Sequence, residues 1–207
     1  MIGNNCDIYN GAVLGEKPQD LKYNKEVTNT EIGSNTTIRE FCTIHRGTSA
    51  RAKTIVGSNC LLMAYVHIAH DCIVKDNVII ANNVQVGGHV NIEDYCNIGG
   101  GSLVHQFCKV GCHSFLGAGL KLVQDLPPYI KAAGNPPKFA GVNSIGLSRN
   151  GFNEDLILTI KKIYRIIYRS DYNTAQAIQK IEETFSKGDK VVENILTFIN
   201  SSDRGII

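Results

Sequence analysis

The sequence predicts a mainly β chain: a parallel β-helix of hexapeptide coils, followed by a C-terminal α-helical domain. Three observations predict it. An aliphatic residue recurs at every sixth position from Val56 through Leu62, Ile68, Val74, Ile80, Val86, Ile92, Ile98, Val104, Val110 and Leu116 to Leu122. A second column, four residues after the first, holds small or β-branched residues such as Thr36, Val66, Val84 and Ser102. Two columns at a period of six mark a solenoid whose residues point inward twice per hexad. Beyond Pro127-Pro128, which cannot continue a ladder, the spacing changes to that of amphipathic helices.

The coils follow in order. Hexads at Ile2, Ile8 and Leu14 form the first and those at Ile32, Ile38 and Ile44 the second. The third starts at Val56, and three more start at Val74, Ile92 and Val110. Insertions interrupt the count at about residues 20–31 and 50–55. Each follows a third hexad, so both are expected to leave from the same corner, where loops on a rigid scaffold favour function. Six of the seven cysteines (Cys6, Cys42, Cys60, Cys72, Cys96 and Cys108) occupy the second column, and they read as small buried hydrophobes, not as disulfides.

The β-helix is expected over 1–126, a connecting loop rich in Gly and Pro over 127–150, and a helical domain over 151–207. Asn153 caps a helix over about 154–169, with Glu154 and Asp155 in its first turn and Leu156, Ile160, Ile163 and Ile167 as its stripe. A second helix covers about 174–186. Gly188-Asp189 then breaks the chain and caps a third over about 190–201.

Composition narrows the function. The 207 residues fit one domain, and 43% hydrophobic content can fill a core. A net charge of +2 gives no basic face for nucleic acid. No apolar stretch is long enough for a transmembrane segment. The N-terminus has neither the basic nor the apolar region of a secretory signal, so a cytoplasmic location is expected.

The chemistry-bearing residues gather on one edge. His45, His70, His89 and His105 fall in third hexads of four coils, and His67 lies at the corner leading into one of them; only His113 is elsewhere. None occupies an inward column, so core packing does not account for them. His70 is the best general base, because the adjacent Asp71 can orient its imidazole. Gly88 stacks on His70 one coil later, where a glycine leaves the space above the ring open and offers an N–H to an oxyanion. A plain tight corner explains Gly88 equally well from sequence alone.

At this point a family resemblance becomes specific. The runs Gln19-Asp20-Leu21-Lys22-Tyr23, Ile44-His45-Arg46-Gly47-Thr48, His67-Ile68-Ala69-His70-Asp71-Cys72, Gly88-His89-Val90, Val104-His105-Gln106-Phe107 and Gln124-Asp125-Leu126-Pro127-Pro128-Tyr129 resemble the UDP-N-acetylglucosamine O-acyltransferase family of lipid A biosynthesis. Gly134-Asn135-Pro136, Val142-Asn143, Gly151-Phe152 and Arg204-Gly205 extend the match over nearly the whole chain. The resemblance implies a left-handed coil of three hexads and a homotrimer with sites between subunits. It implies an (R)-3-hydroxyacyl chain on acyl carrier protein as donor, the 3-hydroxyl of UDP-N-acetylglucosamine as acceptor, and no metal or organic cofactor.

It also implies roles. His70, Asp71 and Gly88 match the catalytic set: the base, its acidic neighbour and the oxyanion amide. Gln19, Asp20, Lys22, His67, His89 and His105 match residues around sugar, acyl chain and carrier. Gln106, Asn143 and Arg149 match nucleotide and diphosphate contacts, and Ala118 the position that limits acyl length. Lys161, Lys162, Arg165 and Arg169 form a basic stretch that suits an acidic carrier protein, or simply a solvated helix face.

The sequence departs from the family at Ile145 and Asn150, and the family usually carries several more coils before the Gln19 position. Activity with reduced stability is therefore expected. Three other readings are a γ-type carbonic anhydrase holding zinc on three histidines, an inactive trimeric scaffold, and the N-acyltransferase of the same pathway, which shares fold and donor.

Overall fold

The hexads stack as three parallel sheets in the computed structural model, which describes residues 1–186 and 188–207. The first face carries strands Asn29–Ile32, Lys53–Val56, Ile73–Val74, Asn91–Ile92 and Lys109–Val110. The second runs from Asp7–Ile8 through Thr37–Ile38, Leu61–Leu62, Ile79–Ile80 and Asn97–Ile98 to Phe115–Leu116. The third carries Val13–Glu16, Thr43–His45, His67–Ile68, Gln85–Val86, Leu103–Val104 and Lys121–Leu122. The result is a left-handed parallel β-helix.

Pairing register explains the period. Ile44 pairs with Ile68, Ile68 with Val86, Val86 with Val104 and Val104 with Leu122, so the aliphatic column is one continuous stack. Ile38 to Leu122 of this column are buried, and so are Thr36, Cys42, Val66, Cys72, Val84, Cys96 and Ser114 of the second. The cysteines are free thiols. Burial pushes Cys72 up to about 12, so it stays a protonated hydrophobe. Ile2 and Ile8 of the first coil are exposed.

Each corner turns through one residue in the left-handed region, again at a period of six. Asn35, Asn59, Asn77 and Asn83 serve there, as do Phe41, Tyr65, Asp71, His89, Tyr95, Phe107 and His113. Asn and Asp tolerate this conformation, whereas bulky side chains adopt it at a cost. Rings at one corner stack on those of the next coil: Phe41 on Tyr65, His89 on Phe107, and Tyr95 on His113. Asp71, His89 and Phe107 thus share the corner between the third and first faces.

Both insertions leave from that same corner, but slightly earlier than the hexad count places them. They span 17–28 and 46–52, because first-face strands begin at Asn29 and Lys53 and pair from their first residues. The segment 127–150, expected as a connecting loop, carries two strands and a helix. Strand Ile130–Ala133 extends the second face, Lys138–Val142 pairs antiparallel with it, and α1 (Ser144–Arg149) follows.

The C-terminal helices are α2 (Glu154–Tyr168), α3 (Thr174–Thr184) and α4 (Lys190–Asn200). Their caps are Asn153, Asn173 with a reciprocal bond from Gln176, and Asp189. In α2, Ile157 and Tyr164 join Ile160 and Ile163 in the core, while Leu156 and Ile167 pack only partly buried. The buried Tyr164 hydroxyl donates to the Pro128 carbonyl at 2.6 Å, fixing α2 to the end of the solenoid. The tail returns as well: buried Asp125 accepts from Ser202 Oγ at 2.6 Å and from the Lys109 amide at 2.7 Å. No helix among the described residues is long and apolar enough to cross a membrane.

Candidate active site

Asp71 is the fixed point of the histidine edge. Its side chain is wholly buried, and its carboxylate oxygens accept three hydrogen bonds. The Thr48 amide donates to Oδ1 at 2.9 Å and the Thr48 hydroxyl to Oδ2 at 2.6 Å. His70 Nδ1 pairs with the same Oδ2 at 2.9 Å. The Asp71 backbone is held too, its amide by Thr54 Oγ1 and its carbonyl by Arg51. Burial pushes the carboxyl up, but the bonds from Thr48 and His70 outweigh it and hold it below the ordinary value. An ionised carboxylate only accepts, so Nδ1 of His70 carries the hydrogen and Nε2 of the neutral ring keeps its lone pair.

Nε2 faces the gap at Gly88. A Cβ at residue 88 would stand 2.8 Å from His70 Cε1 and 2.9 Å from Nε2. The missing side chain is therefore what opens space above the His70 ring. Among the described residues the Gly88 amide donates to no acceptor, leaving it for a ligand atom.

The other histidines ring this centre. His89 meets His70 edge-on, with centroids 5.1 Å apart, and its far side stacks on Phe107 at 4.6 Å. Burial lowers the His89 pKa and the nearby Asp71 partly restores it. His67 Nδ1 lies 2.7 Å from Thr43 Oγ1, and buried His45 packs edge-on against its ring. Burial, helped by repulsion from His45 and His70, lowers His67 to about 4.

The remaining candidates divide into groups. His67, Gly88, His105 and Gln106 line one open groove along the third face, with Gln85 and Lys121. Asp20 sits in the first insertion, close enough to raise the basicity of His89. Its Oδ1 accepts from the Lys22 amide at 2.9 Å, while the Gln19 and Lys22 residues are exposed.

Ala118 is exposed at the corner between the second and third faces. Asn143 and Arg149 are not brought to His70. Asn143 caps α1 and donates to the His113 carbonyl at 3.0 Å, at the corner between the first and second faces. Arg149 lines a groove with Ser144, Ile145 and Lys161.

Sequence reasoning missed Thr48, Arg51 and Thr54, which secure Asp71. Thr48 does stand in the Ile44–Thr48 run, but an insertion of unknown path hides where its hydroxyl points.

His70, Asp71 and His89 are the one group of three among the described residues whose ligand atoms lie within 4.8 Å of one another. This is two histidines and an acid, not three histidines. The acid's Oδ2 is already shared by Thr48 and His70, so the donor set suits orientation of a base better than a zinc site.

Known proteins place this arrangement. The family model described as UDP-N-acetylglucosamine O-acyltransferase, domain 2, matches residues 125–207, and one of bacterial transferase hexapeptides matches 53–88. The acyl-[acyl-carrier-protein]–UDP-N-acetylglucosamine O-acyltransferase of Aquifex aeolicus is 55% identical over 200 residues, covering 96% of this chain and 76% of that protein. Its counterpart from Burkholderia mallei is 43% identical over 200 residues, covering 95% and 76%. The crystal structure of a UDP-N-acetylglucosamine acyltransferase from Bacteroides fragilis superposes with a TM-score of 0.97 at 44% identity, over all of this chain and 80% of that one. With identity this high over nearly its whole length, the chain belongs to the UDP-N-acetylglucosamine O-acyltransferase family.

Proposed function

We propose that the chain transfers an (R)-3-hydroxyacyl group from acyl carrier protein to the 3-hydroxyl of UDP-N-acetylglucosamine, in lipid A biosynthesis. The observation that carries this reading is the opening at Gly88 over a histidine whose tautomer is set by Asp71. In the reaction, His70 Nε2 removes the sugar hydroxyl proton as its oxygen attacks the thioester carbonyl carbon. The Gly88 amide donates to the oxyanion that forms. Collapse breaks the carbon–sulfur bond, leaves an ester on the sugar, and returns the proton from the imidazolium to the carrier thiolate. The residues in hand need no metal for these steps.

Further roles follow from position. His67, His105 and Gln106 bind substrate along the third-face groove, and His89 and Asp20 border the reacting centre. Gln19 and Lys22 are free on their loop to close over the sugar. Asn143 and Arg149 contact the nucleotide diphosphate, where a planar guanidinium suits phosphate oxygens. They reach it from a neighbouring copy, because in one chain they belong to a different corner from His70. A cytoplasmic homotrimer fits this division. The basic α2 face, where Lys161, Arg165 and Arg169 border a groove with Phe139 and Val142, suits the acidic carrier protein.

The test is acyl transfer from 3-hydroxyacyl-carrier protein to UDP-N-acetylglucosamine, run with a chelator, for the native chain and His70→Ala. Chelator-resistant transfer that collapses in the variant is expected. No transfer by folded native protein would overturn the reading, and transfer only to a 3-amino sugar would redirect it to the N-acyltransferase.

A further inference from the structure

We propose that Thr48 is a positioning residue of this site, holding Asp71 in the one orientation that keeps His70 in its Nδ1–H tautomer. The proposal deepens the acyl-transfer reading and rests on it for its kinetic consequences.

Three features point to Thr48. Its two donors take the two oxygens of a single carboxylate, the amide at 2.9 Å and the hydroxyl at 2.6 Å. The hydroxyl oxygen also accepts from the Ala50 amide at 3.2 Å, and because an ionised carboxylate can only accept, its one hydrogen goes to Asp71. The carboxylate is fully buried, so no bulk water can replace a lost donor.

The choice of orientation matters because Asp71 Oδ2 has two imidazole neighbours. His70 Nδ1 lies at 2.9 Å, whereas His89 Nε2 lies at 3.8 Å. A carboxylate free to turn can pair with His89 instead. His70 would then lose the partner that fixes its tautomer and aims Nε2 at the Gly88 opening. Thr48 does not belong to the coil that carries Asp71. It comes from the 46–52 insertion, which Arg51 also ties to the Asp71 carbonyl at 2.9 Å and to Asn91 Oδ1 at 2.8 Å. One job of that insertion is thus to secure the base from outside the solenoid.

The test compares native enzyme with Thr48→Val, Thr48→Ala and Thr48→Ser, by steady-state kinetics and by ¹⁵N NMR of the His70 ring. Without the hydroxyl, kcat is expected to fall roughly tenfold while KM changes less than about twofold, since the loss is felt in the transition state. Thr48→Ser recovers most of kcat. The Nδ1–H signature of His70, clear in native protein, gives way to mixed tautomers in the Val and Ala variants.

Native kcat and an unchanged His70 signature in Thr48→Val would overturn the proposal. Unfolding of both hydroxyl-free variants would also overturn it, since the hydroxyl would then be structural. The ring signature separates this idea from the reaction itself. Were native protein inactive, a tautomer change in Thr48→Val would leave the positioning role standing while the acyl-transfer reading fell.

Discussion

Gly88 leaves open the space directly above the His70 imidazole, where a methyl group would stand 2.9 Å from Nε2. That atom is the one our mechanism uses to take the sugar proton. Gly88→Ala is therefore expected to place a methyl where the acceptor oxygen must sit. Transfer should fall by roughly 100-fold or more, as misplacement at a reacting centre does. The fold should survive, because the clash is with one side chain and residue 88 needs no positive φ. Transfer rate and thermal midpoint, measured together, check this. Near-native rates would remove the opening from the mechanism.

Much of this was legible in the sequence, for reasons of geometry. A solenoid coil repeats its inward positions, so Ile68, Val86 and Val104 report their own pairing through spacing alone. The same count put His70 under Gly88 and set both insertions at one corner. It could not give where a non-repeating loop sends a side chain. Thr48 reaches Asp71 only because of the path of 46–52, which no period describes. Strands Ile130–Ala133 and Lys138–Val142 were hidden by the Gly-Pro turn between them, and α1 by its brevity and internal Gly146. Asn143 carries a family motif, yet its side chain caps a helix in this chain.

His67 is expected to titrate at about 4, well below an ordinary histidine at about 6.5, because burial opposes its charged form. The sign for stability follows. Between those values the unfolded chain binds the proton that the folded chain refuses. Stability therefore falls as pH drops through about 6.5 toward 4 and levels off below, as far as this group decides. Asp71, whose pKa is depressed, adds to the loss at still lower pH as its carboxylate is protonated. Histidine NMR gives the first value, and the thermal midpoint of native and His67→Gln chains across this range gives the second. A His67 that titrates near 6.5 would contradict the burial argument.

Ala118 should set donor chain length without touching the fold. It is exposed, and the neighbouring Gly119 opens onto free space, with nothing within 4 Å of where its Cβ would stand. Ala118→Met is expected to favour donors shorter by roughly two to four carbons, each excluded methylene being worth about 0.8 kcal/mol. Its thermal midpoint should stay close to native, as for most surface substitutions. Competition among acyl-carrier donors of graded length reads the preference. An unchanged preference would take Ala118 out of the acyl site.

The placement of Asn143 gives a test of assembly. His70 lies at the corner between the third and first faces, whereas Asn143 holds His113 at the corner between the first and second. If one nucleotide sugar touches both groups, two chains must supply them. His70→Ala and Arg149→Ala subunits should then be inactive or weak separately and complement when co-assembled. In a randomly mixed closed trimer, about one quarter of the sites would pair a native His70 with a native Arg149 from the next subunit. Recovery toward about one quarter of native activity is therefore expected after mixed refolding or co-expression. If both groups came from one chain, no mixed site would carry native copies of both, and mixing would restore nothing.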